Sequence, residues 1–381
     1  MVPGVVGLID LESRSNVVES HEKEAAMSAI GRVKGFERKE DVILIKGTRE
    51  HIRIEAYEDS SVRLHFSRNR RWERAPSFAV LSPPPPFAGI RARENADRIV
   101  IENGELHILI ARTDGSIAIS DCHGALLADV PGQGYVREAN GVRTAKLIGA
   151  AQAFLGFGER LGGLNKRGAR ITNWNSDISS HIPSVDELYQ SHPFFIAWEP
   201  ARSFGVFIDN TFWSRFDMGR AKPDTWTFSA DGGELDLYFF SGPSPKDVLR
   251  RYTALTGRFY MPPLWSMGYQ QCRWSYMSAK EVEGIAREFR ARRIPCDVIY
   301  LDIDHMDGYR VFTTDSSRFP NLDRLIGRLG EKGFKVVVIA DPGVKKDPKY
   351  PGYSPLSTYR GYRYQGGFSD HLPVLLDLKF R

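Results

Sequence analysis

Apolar and polar residues alternate at period two through His51-Ile52-Arg53-Ile54-Glu55-Ala56-Tyr57 and again through Val62-Arg63-Leu64-His65-Phe66. Successive side chains on a strand point to opposite faces, so this spacing predicts half-buried β-strands. The run Val42-Ile43-Leu44-Ile45 reads as a further strand just before them. Asn103-Gly104 separates Ile99-Val100-Ile101 from Leu106-His107-Ile108-Leu109-Ile110, and Asp114-Gly115 separates that strand from Ile117-Ala118-Ile119. Both dipeptides accept positive φ cheaply and predict tight antiparallel hairpins. Pro83 to Pro86 interrupt the pattern and predict a surface loop. The β pattern returns at Phe204–Ile208 and Leu235–Phe240. Many short antiparallel strands in succession predict one large β-sandwich.

The pattern changes at Ser244. Ser244 is a candidate helix cap, Pro245 fits the first turn, Gly257 ends it, and Val248, Leu249, Tyr252 and Leu255 share one face. Beyond Pro262-Pro263, strand and helix alternate. Leu264 to Cys272 is strand-like, and Ser278-Ala279-Lys280-Glu281 is a capping box for a helix that stops before Pro295. Cys296 to Asp304 and Lys335 to Asp341 are apolar strands that end in acids, with a helix marked by Leu322, Leu325, Ile326 and Leu329 between them. Strands buried on both faces and separated by helices predict parallel β/α units. An eight-stranded β/α barrel needs about 250 residues, and about 120 follow Pro262, so the expectation is a small open sheet or a barrel cut short.

Composition narrows the function classes. Hydrophobic residues make up 42% and charged residues 26% of the 381, which excludes a disordered chain. The net charge of +5 is mild and scattered; the one dense cluster, Arg68, Arg70, Arg71 and Arg74 around Trp72, reads as a solvated loop, and no nucleic-acid partner is expected. No stretch reaches the roughly 18 apolar residues of a membrane helix, and Met1 to Asp10 lacks a basic leader, so no membrane partner is expected. Three cysteines far apart, Cys122, Cys272 and Cys296, predict reduced thiols and a cytoplasmic location.

The candidate chemistry lies at strand ends. Asp302, Asp304 and Asp341 fall where parallel strands finish, the place where loops of β/α folds surround a crevice. Asp302 and Asp304, two apart, are expected on the same side of their strand. Asp302 to Gly308 lacks the acid spacing of a helix-loop-helix calcium loop, and Thr313 stands where its final Glu would be. No metal and no cofactor are expected. Trp274, with Tyr269 and Tyr276 nearby, supplies aromatic faces of the kind that stack on sugars, while carboxylates accept sugar hydroxyls. Packing in a core is the competing reading of these rings. In the β half, Asn173-Trp174-Asn175-Ser176-Asp177 follows the Gly-rich run Gly156 to Arg160, and both read as loops.

Together these segments resemble the family 31 glycoside hydrolases, the α-glucosidase and α-xylosidase group. The matching stretches are Gly156 to Arg167, Trp174 to Asp177, Ser191 to Phe194, Gly268 to Tyr276, Asp297 to Arg310 and Val336 to Gly343. They occur in consistent order between about residue 40 and about residue 350. His305 departs from the pattern, since many relatives carry an aromatic residue there. The resemblance implies a multidomain β plus α/β chain, with a mutarotase-like N-terminal β-sandwich followed by the first part of a (β/α)8 TIM barrel. The boundaries read as 1–35 an irregular lead-in, 36–243 the sandwich, 244–262 a linker helix, 263–353 a partial barrel and 354–381 an atypical tail. It implies retaining hydrolysis of α-linked sugars, with a small-molecule or oligosaccharide substrate. Asp302 and Asp341 would line the subsite for the non-reducing sugar, Trp274 would form its aromatic wall, and Asp177 would reach the same pocket from a sandwich loop.

The resemblance also implies a nucleophilic Asp in a Trp-x-Asp-Met stretch on the fourth barrel strand and a later acid/base, and neither is found in these residues. Asp217-Met218 follows Arg215-Phe216 in the β half and is not that motif. The family pattern is expected to fade after Tyr353, as a frameshift or early stop would produce. An open barrel sheet exposes apolar edges, so the chain as written is expected to be insoluble or incompletely folded beyond the sandwich, and to have no turnover.

Overall fold

A computed structural model describes residues 29–57, 60–68, 72, 77–81, 89–104, 106–139, 141–176, 178, 181–182 and 185–340, with the backbone of 359–360 and 363–364. The Pro83 to Pro86 loop and most of the Arg68 to Arg74 cluster lie outside the described residues. The chain divides into two compact units, Met1–Phe259 and Tyr260–Arg381.

Among the described residues, the first unit is built from three antiparallel sheets. An eight-stranded sheet runs, in spatial order, Val33–Lys39, Val42–Gly47, His51–Tyr57, Ser61–Ser67, Asp236–Gly242, Arg202–Ile208, Ser191–Glu199 and Ala153–Gly158. Two five-stranded sheets accompany it, one from Val136–Arg137 to Arg170–Asn173 and one formed by five consecutive strands from Arg91–Glu94 to Gly124–Ala128. The expected hairpins form: Asn103 pairs with Leu106 around Gly104 at φ 54°, and Ile110 pairs with Ile117 around Gly115 at φ 74°. One hydrophobic core joins all three sheets, with Ile54 and Leu64, Ile101 and Ile108, and Phe216 and Phe228 as representatives. Its densest part is aromatic. Phe195 lies 5.3 Å from Phe157 and 5.2 Å from Trp226, and Phe216 lies 4.9 Å from Phe228, centroid to centroid.

The period-two pattern places Ile52, Ile54, Val62, Leu64 and Phe66 correctly in that core. It does not show that the polar positions between them are also shielded. Glu55 and His65 are buried, Asp236 is fully buried, and Arg63 is half-buried. Arg63 donates to Asp236 at 2.8 and 2.7 Å and to Glu55 at 2.9 Å, and its guanidinium lies 5.3 Å from the Tyr238 ring centre.

Part of the same outer face is covered by helix α1 (Pro245–Thr256). Ser244 caps α1 by accepting from the Asp247 amide, and Gly257 follows at φ 105°. Val248 and Leu255 pack with Phe194, Ile196, Phe207 and Phe240, and Tyr252 stacks on Phe194 at 3.8 Å. Leu249, expected on that apolar face, is 44% exposed. It stands 100° round the helix from Val248, at the edge of a stripe only two side chains wide.

In the second unit, three parallel strands lie in the order Gln270–Gln271, Val298–Leu301, Lys335–Val338. Helices α2 (Ala279–Ala291) and α3 (Leu322–Glu331) follow the first and second strands. Val282, Ala286, Leu325 and Leu329 pack with Ile299 and Leu301 to form a separate core. Ser278 accepts from the Glu281 amide, but Glu281 accepts in return from Met277, one residue before the cap, so the capping box closes one position early. Leu264 to Cys272 is not one strand. Leu264–Met267 form a 3₁₀ turn that presents Leu264 and Met267 to solvent, and only Gln270–Gln271 pair with a neighbour. The backbone pairs Tyr359–Arg360 with Arg363–Tyr364 in a short hairpin.

Replacing Asp236 by Ala leaves a shielded guanidinium short of its bidentate partner. The expected loss is about 3–5 kcal/mol, measured by urea denaturation of the chain followed by tyrosine and tryptophan fluorescence; a loss below about 1 kcal/mol would mean that Glu55 alone satisfies Arg63.

Candidate functional site

The second unit's parallel strands all end on one side, and two of the four expected site residues are described there. Trp274 follows the first strand and is 77% exposed, so this ring is not packed in the core, whereas Tyr276 is buried and packs there. Asp302 follows the second strand, partly exposed. Its Oδ1 accepts from the Ile303 amide at 2.6 Å, so the carboxylate caps a 3₁₀ turn over Ile303–His305. The Asp302 carbonyl accepts from the His305 amide at 3.0 Å and lies 2.8 Å from His305 Nδ1, which turns His305 inward. Burial, with the Asp302 charge as a second cause, raises the Cys272 thiol above its usual range. Asp177 and Asp341 lie outside the described residues.

The expectation that Asp302 and Asp304 project to the same side is not met. The strand ends at Leu301, and period two has no meaning inside the 3₁₀ turn that follows. Asp304 is 5% exposed and turned into the protein. The Tyr309 hydroxyl donates to Asp304 Oδ1 at 3.0 Å, and Arg318 Nη1 lies 3.5 Å from the same oxygen and 3.3 Å from the Asp304 carbonyl. The Ser275 hydroxyl, then Tyr309, Trp274 and Arg318, hold the Asp304 carboxyl below its ordinary value against the opposing effect of burial. Asp304 is thus held inside its own loop by Tyr309 and Arg318.

Tyr309 reaches it because the backbone turns left-handed at Gly308 (φ 57°) and Tyr309 (φ 62°). Phe312, at φ 61°, repeats the conformation and is 66% exposed. Side chains rarely adopt this region, and such strain concentrates at functional loops. Sequence reasoning did not find Tyr309 or Arg318 as partners of Asp304. Only the Gly308-Tyr309 step carried a signal, a glycine where the turn needs positive φ. Among the described residues, no group of His, Cys, Asp and Glu is arranged to hold a metal ion, and no helix is long and apolar enough to cross a membrane.

In the first unit the second set of motif residues forms a loop cluster. Arg160 donates to the Asp186 and Thr172 carbonyls at 2.9 and 2.8 Å, and Asn175 and Ser191 link the segments on either side. Trp174 is 51% exposed.

Along the chain a β-sandwich unit is followed by a unit of parallel β/α strands, with Trp274 and Asp302 just past the ends of adjacent strands, the end at which β/α-barrel proteins carry their sites. Comparison with known proteins makes the class specific. The glycosyl hydrolase 31 N-terminal galactose mutarotase-like domain matches residues 51–217, and the glycosyl hydrolases family 31 TIM-barrel domain matches residues 259–369. The second match continues past Tyr353, where the family pattern was expected to fade. The chain is similar to alpha-glucosidase 2 of Bacillus thermoamyloliquefaciens, 41% identical over 326 residues that cover 85% of this chain and 41% of that one. It is similar to human neutral alpha-glucosidase C, 34% identical over 186 residues, 44% of this chain and 20% of that one. Among solved structures it resembles the GH31 dextranase of Flavobacterium johnsoniae complexed with isomaltotriose, with TM-score 0.76 and 31% identity over 82% of this chain and 39% of that one. The chain belongs to glycoside hydrolase family 31. It spans 41% of the length of its Bacillus relative and smaller shares of the other relatives.

The Asp304 carboxyl, held low in the folded protein, stabilises the fold above its unfolded value of about 4, and that stabilisation is lost as pH falls through the lower folded value. Asp304→Asn is therefore expected to destabilise the second unit at neutral pH and to flatten the acid limb of its stability profile. Thermal melts from neutral to acid pH check this, and an unchanged acid limb would remove Asp304 from the role of charged tie.

Proposed function

We propose that the chain serves an α-glucosidase-like glycoside hydrolase of carbohydrate metabolism, acting with retention on terminal α-linked sugars. Its own contribution is the pocket for the non-reducing sugar, with Trp274 as the stacking wall and Asp302 and Asp341 as acceptors of sugar hydroxyls. The observation that carries this reading is that the exposed Trp274 and the partly exposed Asp302 follow adjacent parallel strands, in a chain 41% identical over most of its length to an α-glucosidase. In a retaining mechanism one carboxylate attacks the anomeric carbon while a second carboxylic acid protonates the leaving oxygen, the two about 5–5.5 Å apart. Asp302 is engaged in capping a turn and Asp304 is enclosed among Tyr309 and Arg318, so neither fits the role of nucleophile. A second reading, a carbohydrate-binding remnant without turnover, rests on the same Trp274 and Asp302.

Both readings require binding. The chain, kept dilute because Leu264, Met267 and Tyr269 are exposed, is expected to bind maltose saturably in a calorimetric titration. Trp274→Ala and Asp302→Asn should each weaken binding about tenfold, equivalent to about 1.4 kcal/mol. No nitrophenol should be released from an aryl α-glucoside by these residues alone. Release above a blank would overturn the assignment of roles, and failure of the intact chain to bind would overturn the pocket.

We also propose a reducing, cytoplasmic setting, supported by the three unpaired thiols, Cys122 and Cys272 exposed and Cys296 buried. Thiol titration of the denatured, unreduced protein should count all three, and a native disulfide would overturn the proposal.

A further inference from the structure

The Gly156 to Arg160 run ends in a guanidinium whose hydrogen bonds reach three separate segments. The chain turns there through three consecutive positive-φ residues, Gly156 (117°), Phe157 (72°) and Gly158 (83°), and the pairing of Ala153–Gly158 with Ser191–Glu199 slips between Gly156 and Gly158. A Cβ at Gly158 would lie 2.5 Å from the Gln190 carbonyl oxygen and 2.9 Å from the His192 nitrogen, so only glycine allows this approach. The bulge re-aims the strand's continuation.

Arg160 Nη1 donates to the Asp186 carbonyl at 2.9 Å and to the Glu159 carbonyl at 3.3 Å. Its Nη2 donates to the Thr172 carbonyl at 2.8 Å, and to Asn173 Oδ1 and Ser191 Oγ at 3.2 Å each. Bonds among those acceptors complete the lattice. Trp174 N donates to Ser191 Oγ at 3.1 Å, Ser191 N to Asn175 Oδ1 at 2.8 Å, and Ser176 N to the Leu188 carbonyl at 2.9 Å. A planar fork with five donors can serve acceptors in several directions at once, whereas an ammonium at the end of a flexible stem is a single point.

We propose that Arg160 is a positioning residue that orders the segment Thr172–Ser176 and holds the half-exposed Trp174 where an α-linked sugar can meet it. The ligand class rests on the carbohydrate-binding reading above; the ordering role does not. Arg160 touches no sugar in this scheme and acts through the segment it fixes.

Amide hydrogen exchange and maltose titration of the 381-residue chain and its Arg160→Lys variant separate the possibilities. In Arg160→Lys the Trp174 and Ser176 amides are expected to exchange at least about tenfold faster, with amides of Arg202–Ile208 unchanged and maltose affinity reduced about tenfold. If the lysine variant loses protection at Arg202–Ile208 as well, Arg160→Gln is measured instead, under the same criteria. Unchanged exchange at Trp174 and Ser176 overturns the ordering role. Faster exchange with unchanged maltose affinity overturns the link to sugar. If the unsubstituted chain binds no maltose, the carbohydrate reading fails, and faster exchange in the variant still upholds the ordering role.

Discussion

Everything in the first unit depends on a sheet that is shielded on both faces. The inner face of the eight-stranded sheet is hydrocarbon and aromatic, and the outer face carries Glu55, Arg63 and Asp236. Charges can be withdrawn from water only when their partners come with them. The ladder supplies this condition by setting Asp236 opposite His65 and Glu55 opposite Arg63, so the cation stands between two acids on adjacent strands. A slip of one residue would bring Arg63 to the core face and separate it from both. The ionic contacts and the hydrophobic alternation therefore enforce the same register, and α1 covers another part of that face with Val248 and Leu255.

The second unit follows a different rule. Its described sheet is short and parallel, and Val298–Leu301 and Lys335–Val338 finish in register. Past that level the backbone is free of the ladder, and polar side chains take over its direction. Asp302 caps the turn that follows its strand, Asp304 is drawn inward to Tyr309 and Arg318, and Trp274 is left outward. The two aspartates share a motif and do different things, one capping the turn at the strand end and one held inside the loop by Tyr309 and Arg318. In the proposed sugar pocket, groups fixed in advance lose little freedom on binding.

The legible part of the sequence was the part with a period. Val62, Leu64 and Phe66 declared one face of a strand, Gly104 and Gly115 declared hairpins, and Ser244 and Ser278 declared helix starts. The unreadable part was aperiodic. Leu264 to Cys272 looked apolar enough for a strand, but only Gln270 and Gln271 find a partner, because pairing depends on the neighbouring strand at Val298 rather than on local composition. Asp304 looked like a twin of Asp302 because strand geometry was extended past the strand's end. Arg160 was visible only as a letter in a Gly-rich run, since its acceptors are scattered from Glu159 to Ser191 and no spacing rule gathers them.

The sequence by itself determined the two textures, the order of the elements, the family and the strand-end aspartates, because these follow from local periodicity, caps and motifs carried on contiguous residues. Only the tertiary structure decided the number of sheets, the pairing of Arg63 with Glu55 and Asp236, the inward turn of Asp304 and the reach of Arg160. Each of these depends on a hydrogen bond or ion pair between residues far apart along the chain, or on where a strand stops. Such choices are made by the partners that folding brings within about 3 Å, and no residue carries that distance in its own name.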